Sequence, residues 1–540
     1  MSPLERGARA LARPGFVLEV DRSTPPVLFH AGEGFRLERL PVGSRVVYPG
    51  EPRAPLADPD AAVRHALEHP LGECEPLSAL LRPGMRLTIA FDDVSLPLPP
   101  MRRPDNRQRV IEAVLDLAAG AGVDDVVLIA ALGLHRRMTE AELRHAIGDR
   151  VYDAFAPDGR LTQHDAEDPE NLVVVGHTDE GELVELNRRA AESDLLVYVN
   201  INLVAMDGGH KSTGCGLTTY ASLRHHHNVH TLEQSRSLMD HPRSALHRSN
   251  WRMGRLLADA GIKVFQVETT LNTDTFPRPF SFLQTREWEW SARERASYLA
   301  TKRALDLAPG GLVRPVFQRI EAPHAMTSVQ AGEVEAVHAA TLAEVFRQQA
   351  VAVEGQADVL TMGLPYICPY NVNSVMNPLL VMCLGLGYFF NLYRGRPLVR
   401  EGGVVIMTHP TPWEFHPVHH PSYIDFFEQV LSQTTDPAEI EAKYEADFAT
   451  DEWYRHLYRT SYAYHGVHPF YMWYWGAHAL DHLAPGGVII VGGDPRAVRR
   501  MGFKPASTLR DGLEMAEDIV GRDPAVTHLH CPPLLVADVT

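Results

Sequence analysis

Lys211 lies among Gly208, Gly209, Gly214 and Gly216 in the stretch MDGGHKSTGCGLTTYASLRHHHN (206–228), which closes on His225, His226 and His227. A phosphate-cradling P-loop would place glycine directly before the lysine and again five residues earlier. His210 and Ala205 hold those places, so a nucleotide triphosphate site of that kind is not expected. A lysine among small residues can bond covalently to a cofactor, while neighbouring N–H groups receive an anion. By residue type alone it is equally a surface lysine on a turn. Adjacent helix residues point about 100° apart, so the three histidines cannot all face one site. A single imidazole is too few ligands for a protein-only metal centre, so a cofactor would have to supply the rest. The plain alternative is a solvated helix end. Two more groups share this character: Asp92 with Asp93, and His135 with Arg136. Each could instead cap a helix or loop, and His164 with Asp165 could simply bind backbone in a turn.

Each group follows an expected strand. MRLTIAF (85–91) precedes the two aspartates, DVVLIAALG (125–133) precedes His135, and DLLVYVNI (194–201) precedes the lysine loop. NRQRVIEAVLDLAAGAG (106–122) has helical periodicity, Thr139 and Glu142 form a capping box, and KVFQVET (263–269) reads as a further strand. Residues 1 to about 80 read as strands and loops on a domain edge. The rhythm breaks near TFPRPFSF, before a long charged helix. PGGLV, EGGVVIMTH and PGGVIIVGG then read as glycine turns feeding strands. The fold class expected is α/β: two α/β domains, 1–280 and 281–540, with mainly parallel sheets and the active site in the crevice between them. In such sheets ligands bind beyond the carboxyl ends of strands.

The 540 residues carry 68 acidic against 51 basic side chains, a net charge of −17. That argues against broad nucleic-acid or anionic-membrane binding. No segment reads as a signal peptide or membrane span, and PLLVMCLGLGYFFNLY reads as a buried helix. Five widely spaced cysteines fit a reduced cytoplasm and exclude a thiol zinc site. HPFYMWYWGAHAL (468–480) reads as a core helix or subunit interface, with a stacking wall for a sugar-like substrate as the alternative. His416, His419 and His420 lack the zinc-hydrolase pattern and read as a surface loop.

The ordered set of DD before a proline-rich turn, GLHRRMTEAEL (133–143), HDAEDPENLVVVGHTDEGELVELNRRAAESDLLVYV (164–199), GGHKS (208–212) and a histidine sixteen residues after the lysine resembles the nickel-dependent lactate racemase family. The likeness is dense over about 85–230 and thinner beyond. It implies a nickel-pincer nucleotide (pyridinium-3,5-bisthiocarboxylic acid mononucleotide nickel) bound covalently through Lys211, with Gly208, Gly209 and Ser212 around it. His227 would be the nickel ligand, with His225 and His226 as alternatives. Sulfur, carbon and nitrogen donors then complete the square plane that nickel favours. The reaction implied is racemisation or epimerisation by hydride transfer. His135 would be an acid–base group, Asp93 would orient the substrate, and Arg136 is a further catalytic candidate. Partners implied are a hydroxy-acid or polyol-like substrate, cofactor-biosynthesis proteins and a second copy of the chain.

The chain also departs from that family. Where a second acid–base histidine is expected, it has Asn200, Ile201 and Asn202, and asparagine is no base near neutral pH. His177, His225 and the histidines of THPTPWEFHPVHH are candidates to stand in. Leu96 precedes Pro97 where an arginine is expected, and Asn373 and Met376 replace a glutamine and a lysine. A carboxylate needs a cation or several donors, so the substrate expected is not lactate. It would be hydroxyl-rich, or would carry its acid towards Arg102, Arg103 or Arg107. The rival readings are a metal hydrolase built on His225–His227 with Asp92 or Asp93, a cofactor-free binding protein, and a cofactor-bearing enzyme of net oxidation or reduction.

Overall fold

The computed structural model describes residues 13–96, 98–308 and 310–540. A six-stranded sheet is ordered Met326–Gly332, Val264–Leu271, Leu195–Asn202, Arg86–Asp92, Asp125–Ala131 and Leu161–Gln163. All its pairings are parallel except the antiparallel edge strand Met326–Gly332. A nine-stranded sheet holds Ala357–Pro365 between Val399–Thr408 and Val526–Leu529, with Val488–Val491 and Lys504–Ala506 beyond. These five strands are mutually parallel. The fold is therefore α/β with mainly parallel sheets, as expected. Strands buried on both faces explain the continuous apolar runs, such as LLVYVNIN with every residue buried.

The sheets do not divide at residue 280. Phe16–Glu19 and Arg45–Tyr48 extend the second sheet through Val526–Leu529, and Val27–Gly32 pairs with the end of Ala357–Pro365. Met326–Gly332 returns to the first sheet. The early strands are thus sheet members rather than edge decoration; residues 1–12 of that expectation lie outside the described residues. PGGLV does not feed a strand: Gly310–Val313 lie in helix Gly310–Phe317, and Pro309 lies outside the described residues. The capping box at Thr139 is present, with both reciprocal hydrogen bonds opening helix Glu140–Ile147.

One hydrophobic cluster joins the halves. It runs from Ile201 on the first sheet, with Leu134 and Leu203–Met206 in the loops beyond it, to Met376, Leu379–Met382, Phe426 and Phe470–Trp475, largely in the helices of the second half. The apolar run 378–389 forms a buried α-to-π helix inside it. Among the described residues no helix is long and apolar enough to cross a membrane. All five cysteines are free.

Candidate active site

Three adjacent parallel strands of the first sheet bring their carboxyl ends to one crevice. Asp92 is in register with Ala131, and Phe91 with Val199. Asp92, Asp93, His135, Asn200, Lys211 and Ser212 all line that crevice, which encloses ≈ 980 Å³, part of it open to solvent. Gly133 makes the approach possible. It turns the chain after Asp125–Ala131 at φ +54°, and its N–H donates to the Gly216 carbonyl at 2.9 Å. A Cβ there would lie 2.5 Å from the Cys215 carbonyl. Glycine thus docks the His135 loop against the helix that carries Lys211.

His135 is held by a carboxylate. Its Nδ1 lies 2.8 Å from Asp93 Oδ2 and 3.2 Å from Ser95 Oγ. Burial pushes the Asp93 carboxyl up, but His135 and two hydrogen bonds from Ser95 outweigh it and leave it below its ordinary value. An ionised Asp93 fixes the proton on Nδ1 and leaves Nε2 as the reactive nitrogen, the orienting logic of a carboxylate–imidazole pair. Among the described residues Nε2 has no hydrogen-bond partner, and the ring lines the crevice.

Lys211 is the second residue of helix His210–Gly216. It forms no salt bridge with any described residue, although it lines the crevice beside Asp207. Its loop is braced from below. Asp207 Oδ2 accepts the N–H groups of Leu203 and Val204, and Glu268 accepts that of Gly209 at 2.7 Å. The glycines answer to this bracing more than to room for a ligand. A Cβ on Gly208 would sit 2.6 Å from the Glu268 carboxylate, and one on Gly209 2.8 Å from the His338 ring. Gly208 and Ser212 line the crevice; Gly209 does not.

The structure separates the three histidines. His225 turns away, its Nε2 accepting the Leu183 N–H at 3.0 Å. His226 is buried beneath the site, and His227 lines it. The two Nδ1 atoms of His226 and His227 lie 2.8 Å apart and share one proton. That leaves His227 Nε2 directed at the crevice, oriented by His226 as a metal-ligating imidazole commonly is. Burial, then His226 and Lys211, hold His227 well below its ordinary value, so it is a neutral donor. Among the described residues Cys215, His226 and His227 are the group whose ligand atoms gather within 4.8 Å of one another. Asp92 and Asp93 are not in it. Asp92 is engaged with the Asn200 side-chain amide and the Ile201 N–H, and burial raises it to about 7.

The second half supplies the opposite wall. Tyr370, Tyr388, His468, Tyr471, Met472 and Trp475 line the crevice. Tyr370 and Tyr388 join hydroxyls at 2.9 Å. Tyr471 and Trp475 pack on His227 with ring centroids 5.1 and 5.2 Å away, and their hydroxyl and indole N–H have no partner among the described residues. The aromatic stretch 468–480 is therefore core on one side and site wall on the other. His468 was legible only as part of that stretch; nothing in its spacing from His135 marks it.

Other expectations fall elsewhere. Arg136 does not line the crevice. It is buried in a two-pronged pair with Glu142, at 2.6 and 3.0 Å, and also donates to the Val372 carbonyl, so it is a brace between the halves. Asp93 contacts His135 rather than standing free for a substrate. Arg107 is enclosed by Asp105 and the carbonyls of Asp92 and Asp93, while Arg102 and Arg103 line a separate cleft. Asn373 donates to Glu142 and Met376 is core. His177 is exposed on strand Leu172–His177. His420 is no surface residue: it is buried, 3.3 Å from Ser374 Oγ and stacked on Tyr464. Leu96 lines the crevice, and Pro97 lies outside the described residues.

Residues 37–240 match the model of the lactate racemase N-terminal domain. The lactate racemase of Lactiplantibacillus plantarum is 25% identical over 172 residues, 31% of this chain and 38% of that protein. That of Thermoanaerobacterium thermosaccharolyticum is 25% identical over 174 residues, 31% of this chain and 37% of that protein. The matched segment thus spans well under half of these relatives. The solved lactate racemase apoprotein from T. thermosaccharolyticum shares the fold, with a TM-score of 0.61 at 17% identity over 95% of this chain and 99% of that one. The sequence match covers every first-sheet residue that lines the crevice, and the fold match extends over nearly all the rest: the chain is similar to lactate racemases in that segment and shares their fold over most of its length.

Proposed function

We propose that the chain is a cytoplasmic isomerase, a racemase or epimerase that inverts a hydroxyl-bearing carbon with a nickel-pincer nucleotide held by Lys211 and His227. The observation that carries this reading is that an unpaired lysine, a neutral imidazole with its Nε2 free and a carboxylate-oriented imidazole meet in one crevice. The donor set fits the group. Lys211 offers an amine with no competing ion pair, and His227 offers one nitrogen to a metal whose other ligands the nucleotide would bring. Ser212 and Gly208 would lie against it. When bound, the nucleotide supplies an acceptor and donor of hydride.

The chain's own residues do the rest. His135 Nε2 takes the substrate hydroxyl proton, and Asp93 holds the imidazole for it. The aromatic wall excludes water from a carbonyl that must be reduced again before it escapes. In this reading the unit on the first sheet carries the tether and acid–base groups, and the unit on the second closes over the substrate. Among the described residues no arginine lines the crevice, and the one lysine that does is the proposed tether. A substrate carboxylate would find no cation there, which favours a hydroxyl-rich substrate over lactate. Such a substrate suits the unpartnered donors of Tyr471 and Trp475. Cofactor-making proteins are the partners this reading calls for; it is compatible with a single chain and with a homo-oligomer alike.

The test is peptide mapping and nickel analysis of protein made beside the cofactor pathway. The expected result is an adduct on Lys211 with nickel near one per chain, both lost in Lys211→Arg. Nickel-free, unmodified wild type from a preparation in which a known lactate racemase is loaded would refute the reading.

A further inference from the structure

We propose that His468, presented by Tyr423, is a second acid–base group that meets the substrate hydroxyl opposite His135; this rests on the reading above. If a carbonyl intermediate turns before hydrogen returns to its other face, its oxygen ends in a different place. A group other than the first base must then meet it. Asn200 and Asn202 cannot do so, since neither amide is a base.

Five observations converge on His468. It lines the same crevice as His135 but comes from the other half of the chain, at the start of helix His468–Tyr474. The two imidazoles stand edge to face with ring centroids 5.3 Å apart. The two rings thus border the same part of the crevice, so a carbonyl oxygen that leaves His135 on turning can come within the about 2.6–3.2 Å reach of His468 that a proton transfer requires. His468 Nδ1 is 2.5 Å from the Tyr423 hydroxyl. Among the described residues its Nε2 has no hydrogen-bond partner, and the ring lines the crevice. The ring is also clamped, with centroids 4.5 Å from Tyr464 and 4.8 Å from Tyr370.

The Tyr423 hydroxyl is what makes His468 reversible. A phenol both donates and accepts. When it accepts from Nδ1–H, Nε2 presents a lone pair and can take the substrate proton: the substrate O–H breaks as an N–H forms on Nε2. When the carbonyl is reduced, its oxygen takes a proton from the other imidazole, His135, which starts the turnover protonated, so the two rings exchange protonation states in each turnover. For one stereoisomer His135 is the base and His468 the acid, and for the other the roles exchange. No net proton or electron is consumed.

Two readouts test this. The first needs neither cofactor nor turnover. Ring ¹⁵N resonances of His135 and His468 are followed in the apoprotein while glycerol, a neutral triol, is titrated. Both should move along one binding curve, and His135→Gln should weaken the response of His468 severalfold. A titration that leaves His468 unmoved overturns the proposal. The second uses protein made beside the cofactor pathway, on whichever polyol or hydroxy acid the wild type turns over. His468→Gln should keep the Lys211 adduct and nickel yet lose about 10²- to 10⁴-fold in kcat, with imidazole restoring part of the rate to His468→Gly. Turnover by His468→Gln within about threefold of wild type, on the scale of that expected loss, overturns it. An absent adduct in the wild type refutes the nickel reading alone, and the glycerol titration then decides the role of His468.

Discussion

Replacing Arg136 should loosen the join between the two halves rather than act directly on chemistry. Its guanidinium meets Glu142 at 2.6 and 3.0 Å, with side-chain exposures of 1% and 8%. Arg136→Met leaves a buried carboxylate without its cation. Breaking a buried pair this way costs about 3–5 kcal/mol. Glu142 keeps the Thr139 N–H and the Asn373 amide, each at 2.8 Å, and it can take up a proton, so the lower end of that range is expected. Replacing both partners, Arg136→Met with Glu142→Gln, removes the uncompensated charge and should recover much of the loss. The coupling energy between the two should be about 2 kcal/mol or more.

A chain with two large sheets need not unfold in one step, so the assay is local: native-state hydrogen exchange of the amides of helix Glu140–Ile147. At about 1.4 kcal/mol per tenfold, Arg136→Met should lower their protection by about two powers of ten, and the double variant by much less. Burial raises the Glu142 carboxyl, but Arg136 outweighs it and the net position is below the ordinary value. The pair's contribution is therefore present above the unfolded carboxyl's titration, near about 4.3, and is lost as pH falls through the lower folded value. Protection in wild type and Arg136→Met should converge as the medium becomes acidic. A loss of less than about tenfold at neutral pH, or a coupling energy near zero, would refute the reasoning.

On the proposed nickel reading, His226→Phe removes the group that orients His227, and nickel affinity of the loaded protein measured by competition with a chelator should fall about 10- to 100-fold; His225→Gln, whose ring serves Leu183 instead, should leave it unchanged. Asp92 is raised to about 7 in the folded chain by burial, so it destabilises the fold progressively as pH rises from the unfolded carboxyl's range, near about 3.9, towards that value. The difference in Tm between Asp92→Asn and wild type should accordingly become more positive from pH 4 to pH 8, at about the two ends of that window, and a difference that stays constant would disprove the account. Gly133→Ala forces a Cβ onto a residue at φ +54° and against the Cys215 carbonyl; a loss of at least about 1–3 kcal/mol is expected by thermal unfolding, and a neutral result would show that the His135 loop is not held as described.

Part of this molecule could be read from local pattern. Apolar runs of seven or eight residues marked the strands Arg86–Asp92, Asp125–Ala131 and Leu195–Asn202, and parallel sheets place ligands at their carboxyl ends. Those rules pointed to Asp93, His135 and Lys211 before any coordinates. The glycines around Lys211 were legible as a special loop, but not their reason, which lies in Glu268 and His338, residues 59 and 70 positions beyond Gly209 and Glu268 respectively. The choice among three adjacent histidines depended on a helix end whose turn the sequence leaves open.

Local pattern determined that this chain makes parallel sheets with a lysine, an acid and two imidazoles at strand ends and in the loops after them. Only the tertiary structure decided which groups meet. It paired Arg45–Tyr48 with Val526–Leu529 across the whole chain, turned Arg136 into a brace, and set His468 5.3 Å from His135. The physical reason is reach. Strand periodicity and capping are governed by neighbours a few residues away, whereas a site wall drawn from the opposite half is set by how two buried surfaces pack, and that packing leaves no repeat in the sequence.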